Sequence, residues 1–202
     1  RGARQDGKTW LIKYFGENHY KNMVYINFED EPNLNNVFVE NFDIQRIIMT
    51  IELYKNTKID ENTLIVFDEI QSVKRGLMSL KYFQEKAPQY HIIAAGSLLG
   101  MSIHEGDSFP VGKVDFIDLY PMNFREFLRA IGENQTADLL QKTIINDTPD
   151  FWAILHTLHE KLINYLRTYF YTGGMPEVID YFRTQRDFEK VRSIQTKIVD
   201  SY

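Results

Sequence analysis

Apolar residues along the chain follow two spacings. Met23-Val24-Tyr25-Ile26-Asn27-Phe28, Thr63-Leu64-Ile65-Val66-Phe67 and His91-Ile92-Ile93-Ala94-Ala95 are short apolar runs, the form taken by strands of a parallel sheet covered on both faces. Val114 to Leu119 reads as a further, last strand. Between these runs the spacing lengthens to that of helices. Trp10 to Tyr14 continues a helix ahead of a turn at Gly16 to Asn22. Asn36 to Tyr54 carries Val37, Phe38, Phe42, Ile44, Ile47, Ile48, Ile51 and Leu53 at roughly helical spacing with one break. Gln71 to Lys86 presents Val73, Leu77, Leu80 and Phe83 as an inner stripe. These are core-facing residues rather than a site. From Asn123 onward the pattern is helical: Asn123 with Glu126 forms a capping-box-like start, Thr136 to Ile145 and Phe151 to Tyr169 give two helices, Gly173-Gly174 turns the chain, and Pro176 opens another helix. The expected fold is therefore α/β, a mostly parallel sheet with helices on both faces over residues 1–122, followed by a smaller helical lid region over residues 123–202.

The chemistry is concentrated ahead of the first helix. Gly2-Ala3-Arg4-Gln5-Asp6-Gly7-Lys8-Thr9 holds the spacing Gly-x-x-x-x-Gly-Lys-Thr, the phosphate-cradling loop of P-loop nucleotide-binding proteins. Its two glycines let the backbone wrap a polyphosphate and turn amides inward at the positive end of a helix. Gly2 through Gly7 are the expected cradle, Lys8 reaches the β and γ phosphates, and Thr9 is a ligand for Mg²⁺. A second element is the apolar run that ends in Asp68-Glu69. A buried parallel strand delivers such acids to its C-terminal edge, where the first holds Mg²⁺ and the second orients the attacking water. The run ending in Gly96-Ser97 supplies a third strand tip, and Ser97 is placed to sense the γ phosphate. Gln71 lies just beyond the carboxylates, where it suits either the water network or the start of a helix. His156, His159 and Glu160 do not have the zinc-protease spacing and read as helix-surface residues.

With these residues in place, the chain resembles the predicted AAA-superfamily ATPases of bacteria and archaea that carry a C-terminal domain of unknown function. The matching stretches are Gly2-Ala3-Arg4-Gln5 with Gly7-Lys8-Thr9, Asp68-Glu69-Ile70-Gln71, Ala95-Gly96-Ser97, Leu119-Tyr120-Pro121-Met122-Asn123-Phe124-Arg125-Glu126-Phe127, and Gly173-Gly174-Met175-Pro176-Glu177. The Tyr-Pro to Phe-Arg-Glu-Phe stretch is the most particular to this group. The resemblance implies an AAA-type ATP-binding core with Ser97 at the sensor position, followed by a helical lid. Two residues depart from it. Asp6 stands where a small apolar residue is usual. A carboxylate about 6 Å from a phosphate charge costs on the order of 3 kcal/mol at an effective dielectric near 20, but only if it faces the nucleotide. Lys113 stands where Arg is usual, which keeps the charge and loses the bidentate fork; alone, it reads as an exposed lysine.

Composition narrows the remaining choices. The 202 residues are 44% hydrophobic and 14% aromatic, enough for an α/β domain with a smaller helical one. The absence of cysteine excludes a disulfide framework and thiolate metal sites. No membrane-spanning run is legible, and the expectation is a cytoplasmic protein. A net charge of −5 argues against broad nucleic-acid binding. Arg183, Arg186, Lys190, Arg192 and Lys197 alternate with Asp187 and Glu189 as on a solvated helix face. The chain starts one residue before the loop and ends without a cap, so the expectation is a piece of a longer protein whose first strand lies upstream. The expected activity is Mg²⁺-dependent ATP binding and hydrolysis. The alternative is a nucleotide-gated module with little hydrolysis that acts on a protein or nucleic-acid partner, with an oligomer allowed in either case.

Overall fold

The computed structural model describes residue 2 and residues 5–96, 112–142 and 148–200. They fall into two compact units, one holding Gly2 and the described part of 7–119, the other holding Gln5, Asp6 and the described part of 120–200.

The first unit runs α1 (Lys8–His19), β1 (Asn22–Asn27), a 3₁₀ turn (Pro32–Leu34), α2 (Ile44–Lys55), β2 (Thr63–Asp68), a second 3₁₀ turn (Ile70–Ser72), α3 (Gly76–Lys86) and β3 (His91–Ala94). The strands form one parallel sheet in the order β1-β2-β3, with Asn27 opposite Asp68 and Phe67 opposite Ala94. All six residues of β2 are buried, which is why this strand is an uninterrupted apolar run up to its acid. On one face Ile65 and Phe67 pack with Ile47, Ile48 and Ile51 of α2 and Leu77, Leu80 and Phe83 of α3. Phe28, Phe38 and Phe67 meet there with ring centres 5.6 to 5.7 Å apart. The other face of β2 lies under α1, where a side chain at Gly16 would strike Met23 and Leu64.

The structure corrects one core residue and several element boundaries. Leu53, expected inside, is 72% exposed, because the buried stripe of α2 is Ile44, Ile47, Ile48 and Ile51 and position 53 falls off that face. The turn expected at Gly16 is helix, because that glycine answers a packing demand that mimics a turn signal. The helix expected over 71–86 starts only at Gly76, after Arg75 turns left-handed (φ 64°). The last expected strand, Val114 to Leu119, forms no ladder among the described residues and keeps a single parallel bridge, Gly2 to Leu119. Its Ile117 is 81% exposed. Gly100 to Gly112, a polar, glycine-containing stretch whose sequence reads as a loop, lies, apart from Gly112, outside the described residues.

The second unit contains α4 (Phe124–Ala130), α5 (Asn134–Lys142), α6 (Pro149–Thr157), α7 (His159–Thr172), α8 (Pro176–Gln185) and α9 (Phe188–Asp200). The capping box forms as expected, with Asn123 accepting from the first-turn amides and Glu126 accepting from the Asn123 N–H. The single helix expected over 151–169 is two, separated at Leu158 (φ −91°, ψ 1°); both keep the helical period, so spacing alone does not show the break. One buried cluster joins Phe127, Leu128, Ala137 and Ile179, another Val178, Phe182, Val191, Ile194 and Ile198. No described helix is long and apolar enough to cross a membrane.

Candidate functional site

Within the first unit, the start of α1 meets the C-terminal edge of β2. Gly7 precedes α1 with φ 91° and ψ 10°, a left-handed turn that glycine makes without steric penalty. As a glycine, Gly7 brings no side-chain cap to this helix start, and helix starts of this kind present backbone N–H groups that can receive anions. Lys8 Nζ donates to the Gly2 carbonyl oxygen at 3.0 Å. Thr9 Oγ1 donates to Asp68 Oδ2 at 3.2 Å. Two motifs far apart in sequence thus share one hydrogen bond.

Asp68 is buried at 6% exposure, where a carboxylate needs donors. It has three: the Glu69 N–H on Oδ1 at 3.1 Å, and the hydroxyls of Thr9 and Tyr25 on Oδ2. Burial pushes the Tyr25 phenol well above its usual range, and the hydrogen bond to Asp68 and its charge push it further. Tyr25 comes from the middle of β1, and the Lys13 ammonium sits 4.5 Å from its ring centre. The sequence reading overlooked Tyr25 because its ring fits an apolar strand. The available signal was a hydroxyl-tipped residue in a strand neighbouring the one that ends in acids.

Glu69 takes a left-handed backbone conformation (φ 49°, ψ 42°), uncommon for a residue with a side chain and concentrated at functional turns. The chain there leaves the sheet and enters the short turn Ile70–Ser72. The amide Nε2 of Gln71 donates to Glu69 Oε2. The tip of β3 is tied to the same place, with Ala95 N–H on the Phe67 oxygen at 2.9 Å and Ile70 N–H on the Ala95 oxygen at 3.2 Å.

The first unit therefore brings together Gly2, Gly7, Lys8, Thr9, Asp68 and Glu69. Gln5 is left-handed (φ 61°) and Asp6 is 4% exposed, an interior side chain. Both belong to the second unit. Ala3, Arg4 and Ser97 lie outside the described residues. Lys113 pairs with Glu85 at 3.2 Å. In the mixed-charge region, Arg183 bonds Asp180 at 2.8 Å and Arg186 lies over the Phe182 ring, as on a solvated helix face.

Comparison with known proteins gives three findings. A family profile described as an AAA domain matches residues 1–128. An uncharacterized protein of Methanocaldococcus jannaschii is 28% identical over 178 residues, 88% of this chain and 35% of that protein. The chain thus spans about a third of the length of this curated relative. Among solved structures, PCH-2 of C. elegans is similar at 14% identity and a TM-score of 0.47, over 99% of this chain and 59% of that one.

Proposed function

Because residues 1–128 match its profile, the chain belongs to the AAA domain family, and we propose that it binds ATP with Mg²⁺ and hydrolyses it. The observation that carries this reading is the Thr9 to Asp68 hydrogen bond of 3.2 Å, which joins the phosphate-loop helix to the acidic strand tip. A hydroxyl and a carboxylate side by side are the hard oxygen donors that suit Mg²⁺. Thr9 and Asp68 would hold the ion, which would supply charge neutralisation for the phosphates.

The chain's own residues do the rest. Gly2 through Gly7 cradle the phosphates through backbone amides, and the start of α1 adds its positive end. Lys8 exchanges its bond to the Gly2 carbonyl for the β and γ phosphates. Glu69 directs a water at the γ phosphorus and takes its proton, and Ser97 senses the γ phosphate. The residues following the core act as a lid, and the work driven by hydrolysis belongs to a protein or nucleic-acid partner.

Titration calorimetry of the full-length protein with ATP, with and without Mg²⁺, tests the reading. Lys8→Ala removes charge-assisted hydrogen bonds of about 1.5 to 3 kcal/mol each, so affinity falls by about ten- to hundredfold. Glu69→Gln keeps affinity and lowers turnover by about 10² or more. Unchanged affinity in Lys8→Ala rejects the site. Tight binding with no turnover in the native protein transfers the assignment to a nucleotide-gated switch.

A further inference from the structure

The Gln71 side chain sits where two strand tips meet. Its Nε2 donates to Glu69 Oε2, and its Oε1 is buried without a hydrogen-bond partner among the described residues. The carboxamide lies against Gly96 so closely that a Cβ there would overlap Oε1, Cδ and Nε2. The orientation of the amide is fixed by chemistry, since the flipped form would set its oxygen against the carboxylate. A buried acceptor without a donor is costly. A glutamine serving only stability would turn that oxygen to a partner, whereas here the donor end is committed to Glu69 at the acceptor's expense. The turn does not need Gln71 as its cap, because Ser72 already places both its N–H and its hydroxyl on the Glu69 carbonyl oxygen at 2.9 and 2.7 Å.

We infer that Gln71 is a positioning residue for ATP hydrolysis, holding the Glu69 carboxylate in one orientation from a seat that the missing side chain of Gly96 provides. This rests on the reading of Glu69 as the group that directs water. A donor on Oε2 fixes the plane of the carboxylate. Gln71 stays neutral across the working pH range, so it orients the base without adding charge near the phosphates. The left-handed Glu69 backbone supports the same arrangement, because it turns the chain sharply enough to bring position 71 back beside position 69.

The test is steady-state turnover of Mg·ATP by the full-length protein, beside binding of a non-hydrolysable ATP analogue. Gln71→Met keeps length and loses the donor; Gly96→Ala leaves the amide intact and displaces it. The expected result is a fall in kcat of about tenfold or more in each, with analogue affinity within about twofold of native. In a Glu69→Ala background, adding Gln71→Met changes the residual rate by less than about twofold. Native kcat in Gln71→Met, together with a large loss in Glu69→Ala, overturns the inference and leaves the Glu69 assignment standing. Parallel loss of affinity and kcat, or full additivity with Glu69→Ala, also overturns it, since both mark a general structural role. Absent native turnover, or native turnover in Glu69→Ala, rejects the Glu69 assignment itself and the inference with it.

Discussion

Asp68 is a buried carboxylate held by two hydroxyls and a backbone amide, and the Tyr25 hydroxyl is the donor whose removal changes least else. Tyr25→Phe keeps the ring beneath Lys13 and removes one bond to a charged group. Stability should fall by about 1.5 to 3 kcal/mol, read from urea unfolding; no loss would mean that Thr9 and the Glu69 amide satisfy Asp68 unaided. Glu133 is a second concentrated carboxylate, accepting from Tyr165 at 2.6 Å, Lys161 at 2.9 Å and Thr136 at 2.8 Å. These bonds, Tyr165 first, hold it down to about 2 from an ordinary value of 4.5. Because the folded pKa lies below the unfolded one, its contribution is complete above 4.5 and disappears as the pH falls through about 2. The stability gap between native protein and Glu133→Gln should therefore narrow between these values. Unfolding curves that stay a constant distance apart would contradict it. Sequence reading singles out Lys8, Thr9, Asp68 and Glu69 as candidates because their spacing is itself the chemical signal. It passed over Tyr25 and Glu133, whose partners are distant in sequence.

At the scale of elements, glycines record where backbones come close. Gly174 offers its carbonyl to the Met122 N–H at 2.7 Å, and a Cβ on it would enter the Met122 backbone. Two motif stretches, Leu119 to Phe127 and Gly173 to Glu177, are thus constrained by one contact. Gly174→Ala should destabilise by about 1 to 3 kcal/mol through overpacking, measured by denaturant midpoint at constant slope, and an unchanged midpoint would show that the loop yields. Gly16 in α1 answers a similar demand from β1 and β2, so a glycine that resembles a turn in sequence lies in mid-helix in the fold. Helix and strand types followed from spacing, while the breaks at Arg75 and Leu158 did not. A one-residue change of backbone conformation leaves the apolar period on either side intact.

For the whole molecule, a ligand that binds only the folded state raises stability by mass action. Mg·ATP at a hundred times its dissociation constant should add about 2.7 kcal/mol to the unit that holds it. Thermal unfolding should show this in native protein and lose it in Lys8→Ala; equal shifts in both would place the nucleotide elsewhere. The division at Leu119 and Tyr120 makes a two-step unfolding trace the relevant baseline. The sequence by itself determined the α/β pattern, the phosphate-loop spacing and the acids at a strand end, because each is a local relation between side-chain type and chain period. Tertiary structure alone decided that Thr9 and Asp68 touch, that Tyr25 joins them, that Gln71 reaches Glu69 across the space left by Gly96, and that Gly2 bridges to Leu119. Those outcomes depend on which backbones come to lie side by side, and packing of the whole sheet and its helices sets that.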